Sequence, residues 1–202
     1  SVLTIASGPT LAMRWLIPRL PAFQAKNPGV EVRLSTSLPV TAIDDPAPLG
    51  PGVTAALRLG RGPWPGLAAE PLFRAEMFPV AAPAVARRLK RPGDLRSHTL
   101  LHVLHAPDEW PTWLAAAAVR DIDVAAGPRF DFHAFALQAA LDGLGVAMAR
   151  RPFVADDLAA GRLVAPFELA LPKAQSWYLI YRPEALDMPA FAAFRTWLLA
   201  AA

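Results

Sequence analysis

The chain has 202 residues, 54% apolar and 18% charged, enough core for one large domain or two lobes of about 100 residues, and it excludes disorder. Lys and Arg number 20 against 17 acids, a net +3 scattered along the chain, so charge gives no nucleic-acid footprint. Cysteine is absent, which excludes disulfides and thiolate chemistry, and no charge-free, proline-free run of about eighteen apolar residues offers a membrane span.

Val2-Leu3-Thr4-Ile5-Ala6 predicts a buried strand, stopped by Gly8-Pro9. Leu16, Leu20 and Phe23 recur at helical spacing and predict one buried helix face, which Asn27-Pro28-Gly29 ends. Val30 to Ser35 alternates as a second strand, so the opening is a βαβ unit with a parallel pair. In such sheets ligands bind beyond the carboxyl ends of the strands, where helix N-termini present free N–H groups. Ser7 and Thr10 put hydroxyls at that place, although Thr10 also suits a helix cap. This turn predicts a pocket and not its ligand.

Residues 37–52, rich in Pro, Asp and Gly, predict an irregular connection. A third strand is expected over Val53 to Leu59 and a fourth over Leu72 to Ala81, with short helical segments from Pro83 and Pro92. The basic run Arg87-Arg88-Leu89-Lys90-Arg91 reads as a solvated helix end. Strand character returns at Thr99 to Leu104, and Glu109 to Val119 predicts a helix with Trp110, Trp113 and Leu114 on one side. Arg129 to Phe132 is a short strand, and His133 to Asp142 a helix with Phe135, Leu137 and Leu141 buried. A strand at Val146 to Ala149, a helix from Pro152 to Gly161, a strand at Trp177 to Tyr181 and a closing helix with Phe191, Phe194 and Leu198 complete the chain. The alternation predicts an α/β class with mostly parallel sheets.

Catalytic and metal motifs fail on context. His98, His102 and His105 share helical spacing, but the surrounding Leu and Val residues predict a strand, and no Cys or acid stands at ligand spacing. Gly143-Leu144-Gly145 follows a helix and precedes a strand, the reverse of a dinucleotide fingerprint, and reads as a helix stop. No nucleophile elbow or phosphate loop is present, and the separated acids show no pairing. Position 1 already opens a core strand without a leader, so the chain is expected to be a piece of a longer protein.

Leu16-Ile17-Pro18-Arg19-Leu20, the Arg58 to Leu67 segment, Leu95 to Leu101, Phe130-Asp131, Leu137-Gln138-Ala139-Ala140, Phe153 to Val164 and Phe194-Arg195-Thr196-Trp197-Leu198 stand in one order along the chain. Together they resemble the effector-binding domain of LysR-type transcriptional regulators, in the branch of the glycine-cleavage activator and the β-lactamase regulator. The resemblance covers essentially the whole chain. It implies an α/β, type II periplasmic-binding-protein-like fold: lobe I over 1–75 and 177–202, lobe II over 76–176, two crossover strands, and the effector held between the lobes. It also implies a cytoplasmic sensor without catalysis, cofactor, metal or membrane contact. Such a sensor forms a homodimer, or a tetramer in the full-length protein, and reaches promoter DNA only through an N-terminal winged helix-turn-helix that this chain lacks. A solute-binding protein of a transport system shares the architecture and is the alternative.

Carried over residue by residue, the resemblance gives ligand-binding roles to Ser7 and Thr10 at the first turn, Thr36 after the second strand, Arg58 in the third, His133 at a lobe II helix start and Trp177 at the return crossing. Phe132-His133 replaces a small polar pair of the branch, and Thr54 an acid. Arg58 suits a carboxylate through its planar fork, or an acid of the protein itself. His133 reads equally as a histidine bonded to backbone. Donors outnumber acceptors and no pocket acid is evident. The expected effector is therefore anionic: a small organic acid, an amino-acid derivative or a short peptide.

Overall fold

A computed structural model describes residues 1–36 and 49–202, so most of the connection expected over 37–52 lies outside the described residues. The chain forms two compact units, Ser1–Ala75 with Ala174–Ala202, and Glu76–Lys173.

In the first unit, β1 (Val2–Ser7) lies between β2 (Glu31–Ser35) and β3 (Ala55–Gly60) and runs parallel to both. The helical run 9–26 joins β1 to β2, and the chain then passes to the other side of β1 to form β3. That reversal is a topological switch point, the place where open α/β sheets bind ligands. The run is a chain of short turns: α1 (Pro9–Leu11), a π turn (Ala12–Leu16), a 3-10 turn (Ile17–Arg19) and α2 (Leu20–Lys26). Pro18 and Pro21 supply the cause, since neither has an N–H to close an α-helical bond, and the ladder shifts around them.

That irregularity changes which face is buried. Leu16 and Phe23 are fully buried as expected, but Leu20 is only partly buried and Trp15 takes the inward position. Phe23 packs against Phe194 and Trp197 of α7 (Pro189–Ala201), with ring centroids 5.4 and 5.1 Å apart. A second cluster of Ala6, Leu49, Ala56, Trp64 and Ile180 forms around the same strands. Within α7, Arg195 bonds the Glu70 carboxylate through Nε at 2.5 Å and Nη2 at 2.7 Å, a bidentate clasp joined by the Tyr181 hydroxyl. Burial alone would raise the Glu70 carboxyl, yet these donors hold it below its usual range.

The long strands β4 (Ala68–Val80) and β8 (Leu171–Tyr181) carry the chain from one unit to the other and back. In the second unit β5 (Leu100–Val103) lies between β6 (Arg129–Phe130) and β7 (Val146–Arg150), again parallel to both. Each unit also has an antiparallel pair, β3 with β8 and β7 with β4. After the short α3 (Pro83–Ala86), the helices α4 (Glu109–Ala116), α5 (His133–Leu141) and α6 (Arg151–Ala159) follow β5, β6 and β7 in turn. The core gathers Trp110, Trp113, Leu95, Leu100, Val146 and Met148.

Two glycines mark close approaches. A Cβ on Gly145 would stand 2.3 Å from the Thr99 carbonyl oxygen, and one on Gly127, at φ +103°, 2.1 Å from that of Leu100. In α5 the inward residues are Ala134, Ala136, Leu137 and Ala140, whereas Phe135, expected in the core, is 51% exposed. Alanines on the inner face let α5 lie close to the sheet and leave the larger ring outside.

Candidate functional site

The carboxyl ends of β1, β2 and β3 meet at one edge of the first unit. Ala6 stands opposite Ser35 and Ser7 opposite Leu57, so Ser7, Thr36 and Arg58 come at the same end of neighbouring parallel strands. Ser7 is buried, and its hydroxyl donates to the Gly8 carbonyl at 3.2 Å. Thr10 is 6% exposed, but it is not the cap, because Gly8 holds that position and Thr10 lies inside the first turn. Thr36 is exposed just beyond β2. The Thr54 hydroxyl accepts the Thr4 N–H at 3.1 Å, a bond that ties β1 to the approach to β3.

Arg58 is only 5% exposed although it sits in the strand Ala55–Gly60. It pairs with Tyr178 of β8, and its neighbour Leu59 pairs with Trp177. Directly paired residues project to one face and successive residues to opposite faces. Arg58 therefore shares a face with Tyr178 and Trp177 takes the other. The Trp177 ring packs there on Phe73 at 6.5 Å, and Phe73 on Trp15 at 4.8 Å. Trp177, expected to bind ligand at the return crossing, is 4% exposed and packs in an aromatic stack.

His133 lies in the second unit, at the first position of α5, and is 3% exposed. Its Nε2 is 2.9 Å from Oε2 of Glu109, at the first position of α4. Arg150, the last residue of β7, donates from Nη2 to Glu109 Oε1 at 2.8 Å, and Lys173 Nζ approaches the same oxygen at 3.6 Å. Burial raises the Glu109 carboxyl, but His133, Arg150 and Lys173 outweigh it and hold the group well below the usual carboxylate range. His105 stands 5.6 Å from the His133 ring, and burial first, then the His133 charge, push its imidazole down.

Glu109 is the residue the sequence reading missed. An acid in the first turn of a helix ordinarily complements the dipole at the surface, and nothing local shows that a histidine 24 positions on and an arginine 41 positions on enclose it. His133 bonds this carboxylate, not backbone. His98 and His102 each bond a backbone carbonyl, of Asp94 and Ala126. Among the described residues no group of three potential ligands could hold a metal ion, and no helix is long and apolar enough to cross a membrane.

Two α/β units, each with a switch point and joined by two crossing strands, are the architecture of a type II periplasmic-binding-protein-like domain. The family described as "LysR substrate binding domain" matches residues 1–202, and the chain belongs to it. It is 38% identical over 203 residues to the glycine cleavage system transcriptional activator of Escherichia coli K12, covering 99% of this chain and 65% of that protein. It is 36% identical to the transcriptional activator AmpR of Pseudomonas aeruginosa, covering 98% of this chain and 65% of that one. The chain thus spans 65% of the length of these curated relatives. Among solved structures, the effector domain of AmpR from P. aeruginosa superimposes with a TM-score of 0.75 at 35% identity, over 100% of this chain and 95% of that one. The AmpR effector-binding domain of Citrobacter freundii gives 0.76 at 26% identity, over 99% and 97%.

Proposed function

We propose that this chain is the effector-sensing part of a non-enzymatic LysR-type transcriptional regulator, and that its effector is a small carboxylate: an organic acid, an amino-acid derivative or a short peptide. Identity to transcriptional activators along nearly the whole chain supports the regulatory reading. The observation that carries the ligand class is Arg58, a nearly buried arginine among apolar strand residues at a switch-point edge, in the same end of the sheet as Ser7 and Thr36. A planar cation with hydroxyl donors suits a carboxylate, and no Gly-rich loop is present to cradle a phosphate. In this reading His133, at the start of α5, and Trp177 also serve the ligand, His133 while bonded to Glu109.

In a calorimetric screen of carboxylates, a binder is expected, and Arg58→Ala should weaken it about 10- to 150-fold, or 1.5–3 kcal/mol, the range for a charge-assisted hydrogen bond. Carboxylates that never bind, or that bind the variant as tightly as the parent, would refute the ligand class.

In this reading DNA is contacted by a segment beyond this chain, in the cytoplasm, and the sensor works as a dimer. Met13 and Ile17 on the helical run are each 48% exposed and Phe135 on α5 is 51% exposed, apolar surface of the kind oligomers cover. Sedimentation from micromolar to near-millimolar concentration should show self-association, and a monomeric mass throughout would remove the dimer.

A further inference from the structure

The geometry points to a carboxylate-binding site in the second unit that the chain fills with its own Glu109. Three features build it. The parallel strands β5, β6 and β7 end at Val103, Phe130 and Arg150, and the helices that follow begin at Glu109, His133 and Arg151. This is a switch-point edge like the one in the first unit, where helix N-termini favour negative charge. The second feature is a set of directed donors: Arg150 Nη2 at 2.8 Å, His133 Nε2 at 2.9 Å and Lys173 Nζ at 3.6 Å, all on a carboxylate whose side chain is 2% exposed. The third is charge. Arg150 and Lys173 alone exceed the single charge of Glu109, while the neighbouring Arg151 is matched by Glu76 at 3.7 Å.

A buried carboxylate held by two or three cationic donors is how a binding protein grips an acidic ligand. Here the grip closes on a side chain of the same polypeptide, so Glu109 is a tethered ligand. On the proposal that the effector is a carboxylate, these donors of the second unit are already engaged by Glu109.

Glu109→Ala removes one CH2 and one carboxylate, the outline of acetate less a hydrogen atom. Melting the E109A chain at pH 7 in acetate, formate, propionate or chloride of equal ionic strength tests the proposal without any effector. The variant should melt about 10 °C below the parent, as expected when one partner of a buried ion pair is lost. Acetate and formate at about 100 mM should recover several degrees by mass action, propionate less, and chloride none. With Arg150→Met added, the acetate response should vanish. If E109A does not fold unaided, the folded fraction after dilution from denaturant into acetate against chloride reads the same effect. Equal responses to acetate and chloride, or an acetate response that survives Arg150→Met, would overturn the tethered-ligand reading and leave the effector proposal untouched. A failed effector screen would likewise leave this result standing.

Discussion

Replacing Trp113 by alanine is expected to destabilise the protein by about 3–5 kcal/mol, the range for removing a large aromatic from a close-packed core. Trp113 is 0% exposed and packs on Trp110 at 6.4 Å and Phe167 at 5.5 Å. Its indole N–H also donates to the Leu169 carbonyl at 3.1 Å, so alanine leaves both a cavity and an unmet acceptor. For a chain of this size the melting temperature should fall by about 6–20 °C. Trp113→Phe keeps most of the ring volume and loses mainly the hydrogen bond, so it should cost about 1–2 kcal/mol. An alanine variant within about 1 kcal/mol of the parent in urea would show that the site collapses without loss.

The second large effect belongs to Glu109→Gln, expected to cost about 3–5 kcal/mol at pH 7 because Arg150 and Lys173 lose their buried counter-charge. Its pH dependence carries a definite sign. The Glu109 carboxyl lies lower in the folded chain than in the unfolded one, so its contribution is complete above the ordinary glutamate value of about 4.3 and fades as the pH falls below it. Glu31, Glu70 and Asp94 are also held low, but parent and variant share them. The difference between the two, measured by urea melts from pH 7 to pH 3, should therefore shrink on the acid side. A difference constant with pH would mean that Glu109 acts by shape and not by charge.

Local chemistry made much of the fold readable. Proline at the starts of α3 and α6, and the Gly143 stop after α5 at φ +81°, are residues whose backbone limits speak directly. The place of Arg58 in β3 was legible as well, from the apolar run on either side of it. Faces were harder. Phe135 looks like core by hydrophobicity, yet the alanines around it set how close α5 lies, and Trp15 replaces Leu20 because Pro18 and Pro21 break the helical period on which that face was drawn. Glu109 was beyond reach, because its partners come from β7, β8 and the start of α5 and only the folded chain brings them together.

The pairing of Arg58 with Tyr178 and of Leu59 with Trp177 restricts how this protein can change over time. A strand has a side-chain period of two, so one residue inserted or deleted in β8 ahead of Ser176 would turn every later side chain to the opposite face. With an insertion the Trp177 indole would take the place opposite Arg58, and Tyr178, now 5.3 Å from Trp64, would leave it. Length variation is thus closed to this part of the chain. Descendants that respond to a different molecule must reach it by exchanging one side chain for another, with β8 held at constant length.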